Sequence, residues 1–372
     1  MCFTGIVRLP QREHEAFDVC LFHPEKGISM KIHALFGALA CSVVALALVS
    51  PAHAADYKSE YKLSIVVGTS FPWGQGAEIW SRLVRERTNG RINIKLYPGT
   101  SLVQGDQTRE FPAIRQGLID MAVGSTINWS PQVKQLNLFS LPFLMPDYAA
   151  IDALIHGEVG KALFKHIEKA GVVPLAWGEN GYRQLSNSKR DVKDPTDIHG
   201  MKLRVVGSPL YIDTFTALGA NPTQMSWADA QPALASGAVD GQENPLSIYA
   251  GSKLYTVGQK HLTLWNYVAD PLVFVVNRQV WQSWSAEDQK VVREAAVEAA
   301  KQEIVLARKG VTPEDPSMLN EIETRGVTVT SLTPEQHAAF VKVTQPVFDK
   351  WKKTIGEDLV AQAQKDIANR KK

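Results

Sequence analysis

The chain has 372 residues, of which 45% are hydrophobic and 21% charged, and its formal net charge at pH 7 is +2. This composition indicates a globular protein, and without a basic or acidic block it gives no support for nucleic-acid or membrane-surface binding. The three cysteines, Cys2, Cys20 and Cys41, all precede Ala55. A chain exported from Ala55 onward would have no thiol for a disulfide, a metal site or a nucleophile.

The beginning of the chain predicts a targeting segment. An apolar run over residues 34–49 leads to Ala52-His53-Ala54, which has the small-x-small pattern of a signal-peptidase site. The run is shorter than the roughly twenty apolar residues of a membrane span, so we interpret residues 30–54 as a cleaved signal peptide rather than an anchor. Residues 1–29 have no such pattern, and we interpret them as a non-native upstream extension, with Met30 as the true start.

Strand and helix signals alternate through the rest of the chain. Alternating apolar residues and turn residues predict strands at residues 62–67, 91–97, 119–123, 172–177, 201–206 and 239–243. Helices are predicted at residues 77–87, 107–116 and 285–309, and from Pro334 until Pro346 ends or kinks the helix. This order predicts parallel sheets covered by helices, which is an α/β fold.

One short pattern occurs twice. Residues 116–120 and residues 236–240 each contain a helix end, a glycine, two apolar residues and an aspartate. Two copies favour two similar lobes, each with a strand end that faces a common cleft. An ordinary turn between a helix and a strand would give the same pattern, so this alternative stays open.

Arg204 is the most informative residue for function. It lies near the end of a predicted strand, and Gly207-Ser208-Pro209 then favours a helix with Ser208 as N-cap and Pro209 at its first position. Open α/β sheets bind ligands in the crevice at such strand ends. The planar fork of a guanidinium suits a carboxylate in two-point contact, so the sequence predicts capture of an organic acid.

The sequence lacks the common motifs for catalysis and metal binding. The histidines after residue 54 lack helical metal-ligand spacing, and no phosphate loop, dinucleotide fingerprint or nucleophile elbow occurs. The glycine-rich residues 68–76 lack the lysine of a phosphate loop, although Trp73 within them can line a cleft. We therefore assign no catalytic residue, no metal ligand and no cofactor, and we expect no enzyme. A triad assembled from distant residues stays open as an alternative.

Three phrases of the sequence resemble one protein family. They are residues 180–184 (NGYRQ), residues 200–205 (GMKLRV) and residues 239–245 (VDGQENP). In this order they resemble the solute-binding subunits of tripartite ATP-independent periplasmic (TRAP) transporters, of the type that includes dicarboxylate- and sialic-acid-binding members. The resemblance runs from about Lys62 to Val343.

The resemblance implies an architecture. We expect an α/β fold of the periplasmic-binding-protein type, with two α/β lobes around a ligand cleft, hinge strands and a long C-terminal helix spanning both lobes. Lobe 1 is expected to comprise residues 55–180 with about 270–308. Lobe 2 is expected to comprise residues 181–269 with about 309–345, and residues 346–372 form a C-terminal helical tail.

The resemblance also implies roles for residues of the second lobe. Arg204 matches the arginine that pairs with the ligand carboxylate, with a structural ion pair as the alternative. Arg183 matches a second arginine that reaches the ligand from the neighbouring lobe. Asn244 matches the asparagine that hydrogen-bonds the carboxylate or that arginine. Trp227 falls where an aromatic ring packs over the ligand, although a core position is the alternative.

Further ligand-binding candidates come from loops of the first lobe. They are Trp73, Ser125, Thr126 and Trp129, and for Trp129 a core position is an equal alternative. Ser125 and Gly207 stand where the sialic-acid-binding members carry glutamate and asparagine. This departure argues against sialic acid as the ligand.

The function implied by the resemblance is transport. We expect a monomeric, periplasmic solute-binding protein that captures an organic acid anion and delivers it to the membrane permease subunits of a TRAP-type secondary transporter. Dicarboxylates belong to the candidate ligands, and two tryptophans at the cleft favour a ringed acid such as a uronate or an aromatic carboxylate. A ligand-sensing receptor for an organic acid and a secreted hydrolase are the alternatives.

Overall fold

The computed structural model describes residues 57–370. The predictions of an upstream extension at residues 1–29 and a signal peptide at residues 30–54 lie outside the described residues. Among the helices that are described, none is both long enough and apolar enough to cross a bilayer.

Ten strands in the described part of the chain form one mixed sheet. They are β1 (Tyr61–Ser64), β2 (Ile94–Tyr97), β3 (Met121–Ser125), β4 (Val172–Asn187), β5 (Lys202–Val205), β6 (Asn221–Gln224), β7 (Gly241–Pro245), β8 (His261–Leu264), β9 (Ala269–Asn277) and β10 (Thr328–Ser331). The strand order is β2-β1-β3-β9-β4-β7-β5-β6, and β8 pairs with both β4 and β10.

Thirteen α-helices accompany the sheet within residues 57–370. They are α1 (Pro72–Arg87), α2 (Glu110–Arg115), α3 (Thr126–Trp129), α4 (Tyr148–His156), α5 (Glu158–Lys169), α6 (Pro209–Ala217), α7 (Trp227–Ser236), α8 (Leu246–Gly251), α9 (Arg278–Ser283), α10 (Ala286–Arg308), α11 (Ser317–Thr324), α12 (Pro334–Ile355) and α13 (Glu357–Ala368). The α/β fold class is therefore confirmed.

The predicted helix starts are mostly present. Ser208 precedes α6, whose first residue is Pro209, and Ser285 caps α10 by accepting a hydrogen bond from the Asp288 backbone. Helix α1 begins at Pro72, earlier than the predicted residue 77, because proline fits the first turn, where its missing N–H has no helical partner.

Pro346 was predicted to end or to kink its helix, and the first of these two outcomes is wrong. Helix α12 continues through this proline to Ile355. Proline removes a hydrogen bond from a helix interior, which costs about 3 kcal/mol. Phe340 and Val347, on either side of the proline, are both buried, so tertiary packing holds the helix together here.

The sheet is parallel only in its outer parts, which corrects the prediction of parallel sheets. Strand β1 pairs in parallel with β2 and β3, and β5 pairs in parallel with β6 and β7. The central pairings of β9 with β3 and of β4 with β7, β8 and β9 are antiparallel. We refer to β2-β1-β3 as the first strand group and to β6-β5-β7 as the second strand group.

Strand β4 connects the two strand groups. It has 16 residues, whereas the sequence predicted only residues 172–177. Residues 172–182 of β4 pair with β9, and residues 183–187 pair with β7. The register shifts between Pro174 and Ala176 and between Glu179 and Gly181. These irregularities interrupt the alternating pattern, which explains why the sequence predicted a short strand.

The repeated five-residue pattern has the same structure in both places. Gly117 and Gly237 have φ angles of 78° and 72°, the left-handed conformation that suits glycine after a helix. The carboxylates of Asp120 and Asp240 each accept a backbone hydrogen bond, at 2.8 Å, from a lysine of the adjacent parallel strand. The pattern leads into β3 in one case and β7 in the other, so it marks equivalent positions of the two strand groups.

The long predicted helix is confirmed as α10, which packs against α1 and β4. Its buried side chains include Ala295, Ala296, Ala299 and Ala300, and small residues allow close packing. Strand β9 is buried on both faces, because alternate residues belong to two different apolar clusters. The bounds of the two lobes stay a prediction.

Candidate functional site

A small cavity of about 30 Å³ lies where the parallel strands of both groups end. Six of the eight candidate ligand-binding residues line it: Trp73, Ser125, Arg183, Arg204, Trp227 and Asn244. Ser125 ends β3, and Arg204 and Asn244 lie in β5 and β7. The side chains thus converge at the carboxyl ends of parallel strands, where open α/β sheets bind ligands.

Arg204 is a buried guanidinium without an ion-pair partner among residues 57–370. Its side chain is 1% exposed, and its Nε and Nη2 atoms donate to the Met225 carbonyl oxygen at 3.1 and 2.9 Å. The guanidinium carbon lies 5.5 Å from the centre of the Trp227 ring, within the range of a cation–π interaction. Burial lowers the pKa of Arg204 to about 10, which leaves the group charged at neutral pH.

Arg183 is held by two buried carboxylates. Its Nε and Nη2 atoms donate to the Glu243 carboxylate, Nη2 also donates to the Glu243 carbonyl oxygen at 2.7 Å, and Nη1 donates to Asp270 Oδ2 at 3.0 Å. Although burial acts in the opposite direction, the Glu243 carboxylate raises the pKa of Arg183 above its usual value. Tyr267 adds a hydrogen bond to Glu243 at 2.7 Å.

Arg183 does not lie at the surface of the site. If Arg183 lay near the rim of the cleft, solvent would screen its charge. It is instead as buried as Arg204. The two arginines differ in neutralisation rather than exposure, since only Arg183 has carboxylate partners within the described residues.

Asn244 faces the cavity from the second strand group. Its Nδ2 atom donates to Gln242 Oε1 at 2.5 Å, and Gln242 Nε2 donates to Ser186 Oγ at 2.8 Å. This chain of polar side chains orients the Asn244 amide. Its oxygen has no hydrogen bond to another described residue.

Two tryptophans, one on α1 and one on α7, line the cavity. Trp73 is fixed by a hydrogen bond from its indole Nε1 to the Val123 carbonyl oxygen at 2.7 Å. The backbone N–H of Trp227 donates to Gln107 Oε1 at 2.9 Å, which links the start of α7 to the first strand group. Both rings line the cavity and are buried.

The remaining first-lobe candidates differ in position. Ser125 lines the cavity, where its Oγ donates to Asp270 Oδ1 at 2.5 Å and caps α3. Thr126 is buried and its Oγ1 lacks a hydrogen bond within residues 57–370, but it is not part of the cavity lining. Trp129 is a core residue, because its Nε1 donates to buried Glu110 at 3.0 Å and it does not line the cavity.

Several lining residues were not predicted. Gln107, Asn128, Asn180 and Asp270 contribute polar side chains. Asn180 was inside one of the quoted phrases, and its Nδ2 donates to Asp270 Oδ2 at 2.8 Å. The sequence contains one weak signal for Asp270: it is an aspartate inside the apolar strand β9, where its carboxylate requires buried partners. Burial raises the pKa of Asp270, and Arg183 opposes this effect.

A second cavity of about 440 Å³ lies beside the first and shares Asn180 with it. Its lining includes Tyr148, Leu246 and Val311 but no arginine or lysine, and its Asp147 pairs with Arg370. It is larger, but it lacks a cation for an acid. Within residues 57–370, no cluster of three or more histidine, cysteine, aspartate or glutamate residues is placed to hold a metal ion.

A sheet of two connected strand groups, with a charged cavity where both end, defines a solute-binding protein. The chain belongs to the family of bacterial extracellular solute-binding proteins, family 7, whose model matches residues 63–354. The predicted resemblance to TRAP solute-binding subunits is thereby confirmed.

Similar proteins include both sequences and solved structures. The C4-dicarboxylate-binding periplasmic protein DctP of Rhodobacter capsulatus is 32% identical over 88% of this chain and 95% of its own length. A TRAP periplasmic solute-binding protein from Ralstonia eutropha H16, solved with bound (S)-2-acetolactate, is 70% identical with a TM-score of 0.83, covering 84% of this chain and all of that one. One from Sulfurospirillum deleyianum, solved with bound succinate, is 31% identical with a TM-score of 0.76, covering 82% and 98%.

Proposed function

We propose that this protein captures an organic acid anion at Arg204 and delivers it to a TRAP-type membrane permease. The observation that carries the proposal is the buried, charged guanidinium of Arg204, which lines a cavity and has no carboxylate partner in the described part of the chain. A buried charge is costly unless it is paired, so an anion in this cavity would be stabilised strongly.

The contacts of Arg204 leave one side of its fork for the acid. The Met225 carbonyl oxygen accepts from Nε and from one proton of Nη2. Nη1 and the second proton of Nη2 remain for a carboxylate in two-point contact, which is the strong mode of arginine–carboxylate pairing. Asn244 lies in the same lining, and we propose that its amide contributes a further hydrogen bond.

The other site residues have supporting roles in this proposal. Trp73 and Trp227 supply apolar surface over the acid. Arg183 and Ser125 line the cavity with side chains that are already hydrogen-bonded to Glu243 and Asp270, so we propose that they fix its shape. Thr126 lies outside the lining, and we assign it no contact with the acid.

Binding of acids is tested by a thermal-shift screen of dicarboxylates, sugar acids, hydroxy acids, oxo acids and aromatic acids at constant ionic strength. A ligand that binds only the folded state stabilises it by about 2.7 kcal/mol at one hundred times its Kd. We expect at least one carboxylate to raise the midpoint of unfolding, with the Kd confirmed by calorimetric titration. Unchanged midpoints with every acid, together with no binding heat, would refute the proposal.

Capture and release require motion between the two predicted lobes. Hydrogen bonds from Trp227 to Gln107 and between Ser130 and Ser208 join segments that lie beside the two strand groups. We propose that the empty protein opens at the connecting strands and that the acid closes it. Small-angle scattering should show a smaller radius of gyration with saturating acid, and identical profiles would contradict the motion.

Export and delivery are proposed from the family and from the apolar run before Ala55. Mass spectrometry of the periplasmic protein should find a chain that begins at Ala55, whereas retained residues 30–54 would contradict cleavage. Uptake of the labelled acid should be lost when the gene is deleted and restored by the intact gene. Uptake that continues at the original rate would favour the sensor alternative.

A hydrolase would behave differently from a transport protein. We propose that the bound acid leaves unchanged, because no catalytic constellation was found in the sequence. Proton NMR of each acid that binds should show the same spectrum after long incubation with the protein. New resonances would require a catalytic role.

A further inference from the structure

We infer that Asp270 restricts the cavity to acids with a single carboxylate and accepts a hydrogen bond from a hydroxyl group of the acid. This inference rests on the proposed function, since it specifies which acids the Arg204 site takes. Asp270 lines the cavity and is buried in β9, so any acid in the cavity lies near its charge.

Most charged side chains around the cavity are already paired with each other. Arg183 forms ion pairs with the carboxylates of both Glu243 and Asp270, so the formal charges of these three groups sum to one negative charge. Arg204 supplies the one positive charge at the cavity that lacks a carboxylate partner among residues 57–370. One ligand carboxylate can pair with it. A second would be buried without a cation, next to groups of its own sign, which disfavours binding strongly.

The two oxygens of Asp270 are unequally occupied. Oδ2 accepts hydrogen bonds from Asn180 Nδ2 at 2.8 Å and from Arg183 Nη1 at 3.0 Å. Oδ1 accepts one bond from Ser125 Oγ at 2.5 Å and none from other described residues. A carboxylate oxygen can accept two hydrogen bonds. Oδ1 therefore has a remaining lone pair for a donor, and a hydroxyl group of the acid would supply that donor.

The apolar part of the lining limits how many hydroxyl groups the acid can carry. Val66, Val67, Val206 and Ile248 face the same cavity. A hydroxyl group against these side chains would lose its hydrogen bonds to water without replacement. The geometry thus points to a monocarboxylate that has a hydroxyl group near Asp270 and an apolar part against these side chains, rather than to a dicarboxylate.

Four acids with the same carbon chain separate these effects. Calorimetric titration compares 2-hydroxybutanoate, malate, butanoate and succinate. Malate differs from 2-hydroxybutanoate only by a second carboxylate, and butanoate differs from it only by the missing hydroxyl group. Succinate has the second carboxylate but no hydroxyl group. Like charges at close range inside a binding site cost several kcal/mol. We therefore expect malate to bind at least about a hundredfold more weakly than 2-hydroxybutanoate, since each tenfold corresponds to about 1.4 kcal/mol. Butanoate should bind about tenfold more weakly than 2-hydroxybutanoate, because it lacks the hydroxyl group that donates the hydrogen bond.

Asp270→Asn tests the assignment to this residue. The amide keeps the size and an acceptor oxygen but removes the charge, so malate should gain at least about tenfold relative to 2-hydroxybutanoate. Asp191→Asn is the matched control, because Asp191 pairs with His261 and does not line the cavity. The preference between malate and 2-hydroxybutanoate should be unchanged in the control. An equal change in both variants, or none in Asp270→Asn, overturns the role of Asp270.

The wild-type measurements decide the inference even if Asp270→Asn does not fold. A preference for 2-hydroxybutanoate over malate of more than tenfold supports it, and a smaller one overturns it. A dicarboxylate, or an acid without a hydroxyl group, as the tightest ligand of the thermal-shift screen also overturns it but leaves the proposed function intact. A screen in which no acid binds removes the proposed function itself, so the two failures are distinguishable.

Discussion

The first and second strand groups have the same architecture but contribute different chemistry to the cavity. Each has its middle strand paired in parallel on both sides, and each contains the glycine-to-aspartate turn at Gly117 or Gly237. The first group contributes the uncharged Ser125, and α1 beside it contributes Trp73, whereas the second group contributes Arg204. The comparison shows that the backbone pattern determines the scaffold, while side chains at the strand ends determine what is bound.

The buried charges of the two groups differ in the same way. Glu110, on α2 beside the first group, accepts hydrogen bonds from Ser64 Oγ at 2.6 Å and Trp129 Nε1 at 3.0 Å but has no cationic partner in the described chain. Burial raises the pKa of Glu110 to about 7, so this group can become neutral. Arg204, with a pKa of about 10, cannot do so near neutral pH. Of these two buried side chains, only Arg204 therefore keeps a charge near neutral pH, and an acid can neutralise it.

The largest effect is expected from removing that charge. Arg204→Ala would leave the carboxylate of the bound acid buried and unpaired, which costs roughly 2–5 kcal/mol. Binding should weaken between about thirtyfold and several thousandfold. Arg204→Lys keeps the charge but loses the planar fork, so it should still lose much of the affinity.

Calorimetric titration of both variants with the best acid from the screen measures this effect. Arg82→Ala is the control, because Arg82 forms an exposed pair with Glu86 on α1. Circular dichroism should establish that each variant is folded. Affinity of Arg204→Ala within about threefold of the wild type would mean that the carboxylate is held elsewhere, and the contrast between the strand groups would lose its basis.

The next effect concerns Glu110 and the pH dependence of stability. The folded state keeps a proton on Glu110 up to about pH 7, whereas the unfolded chain releases it near the ordinary pKa of 4.5. The free energy of unfolding therefore contains a contribution that is present below pH 4.5 and is lost as the pH rises toward 7. The loss is on the order of 3 kcal/mol, at about 1.4 kcal/mol per pKa unit.

Glu110→Gln isolates this contribution, because the amide imitates the protonated carboxyl group. Urea unfolding at pH 5 and pH 8 gives the free energy of unfolding of the wild type and of the variant. The stability of the variant relative to the wild type should be greater at pH 8 than at pH 5. Other titrating groups affect both proteins alike. Parallel changes in the two proteins would show that Glu110 is ionised in the folded state at both pH values.

A smaller effect is expected where the two groups are most alike. Asp120→Ala and Asp240→Ala each remove an acceptor for a backbone N–H. Loss of such a bond from a buried site costs about 1–3 kcal/mol. The Asp120 side chain is 3% exposed and that of Asp240 14%, so Asp120→Ala should be the more destabilising. Urea unfolding gives both values, and a greater loss in Asp240→Ala would contradict the ranking by burial.

The fold was largely predictable because its signals are local. The cap at Ser285 and the glycine-to-aspartate pattern act within a few residues, and both are present in the structure. Ser208 lies at the predicted N-cap position of α6 but its side chain makes no capping hydrogen bond. The antiparallel centre was not predictable in this way. Strand β4 continues through Gly178 and Gly181, and its pairing depends on β7 and β9, which are distant in sequence.

Some residues that line the cavity were predicted from recognisable phrases, and others were not predicted. Arg204, Arg183 and Asn244 came from such phrases, and all three line the cavity. Asp270 and Gln107 reach it from segments without a distinctive pattern. The neutralisation of Arg183 could not be predicted either, because it depends on distances between side chains from three strands.

The smallest predicted effect tests the contact that joins the two groups. Gln107, beside the first group, accepts a hydrogen bond from the backbone N–H of Trp227 at 2.9 Å. If the empty protein is open, this bond forms only on closing and contributes to apparent affinity. Gln107→Ala should then weaken acid binding by about 0.5–1.5 kcal/mol, roughly two- to twelvefold. The unfolding free energy of the acid-free protein should hardly change, as in the control Gln345→Ala on exposed α12 surface. An equal loss of stability without acid would show that the bond persists in the empty protein, and the two groups would then form one rigid body.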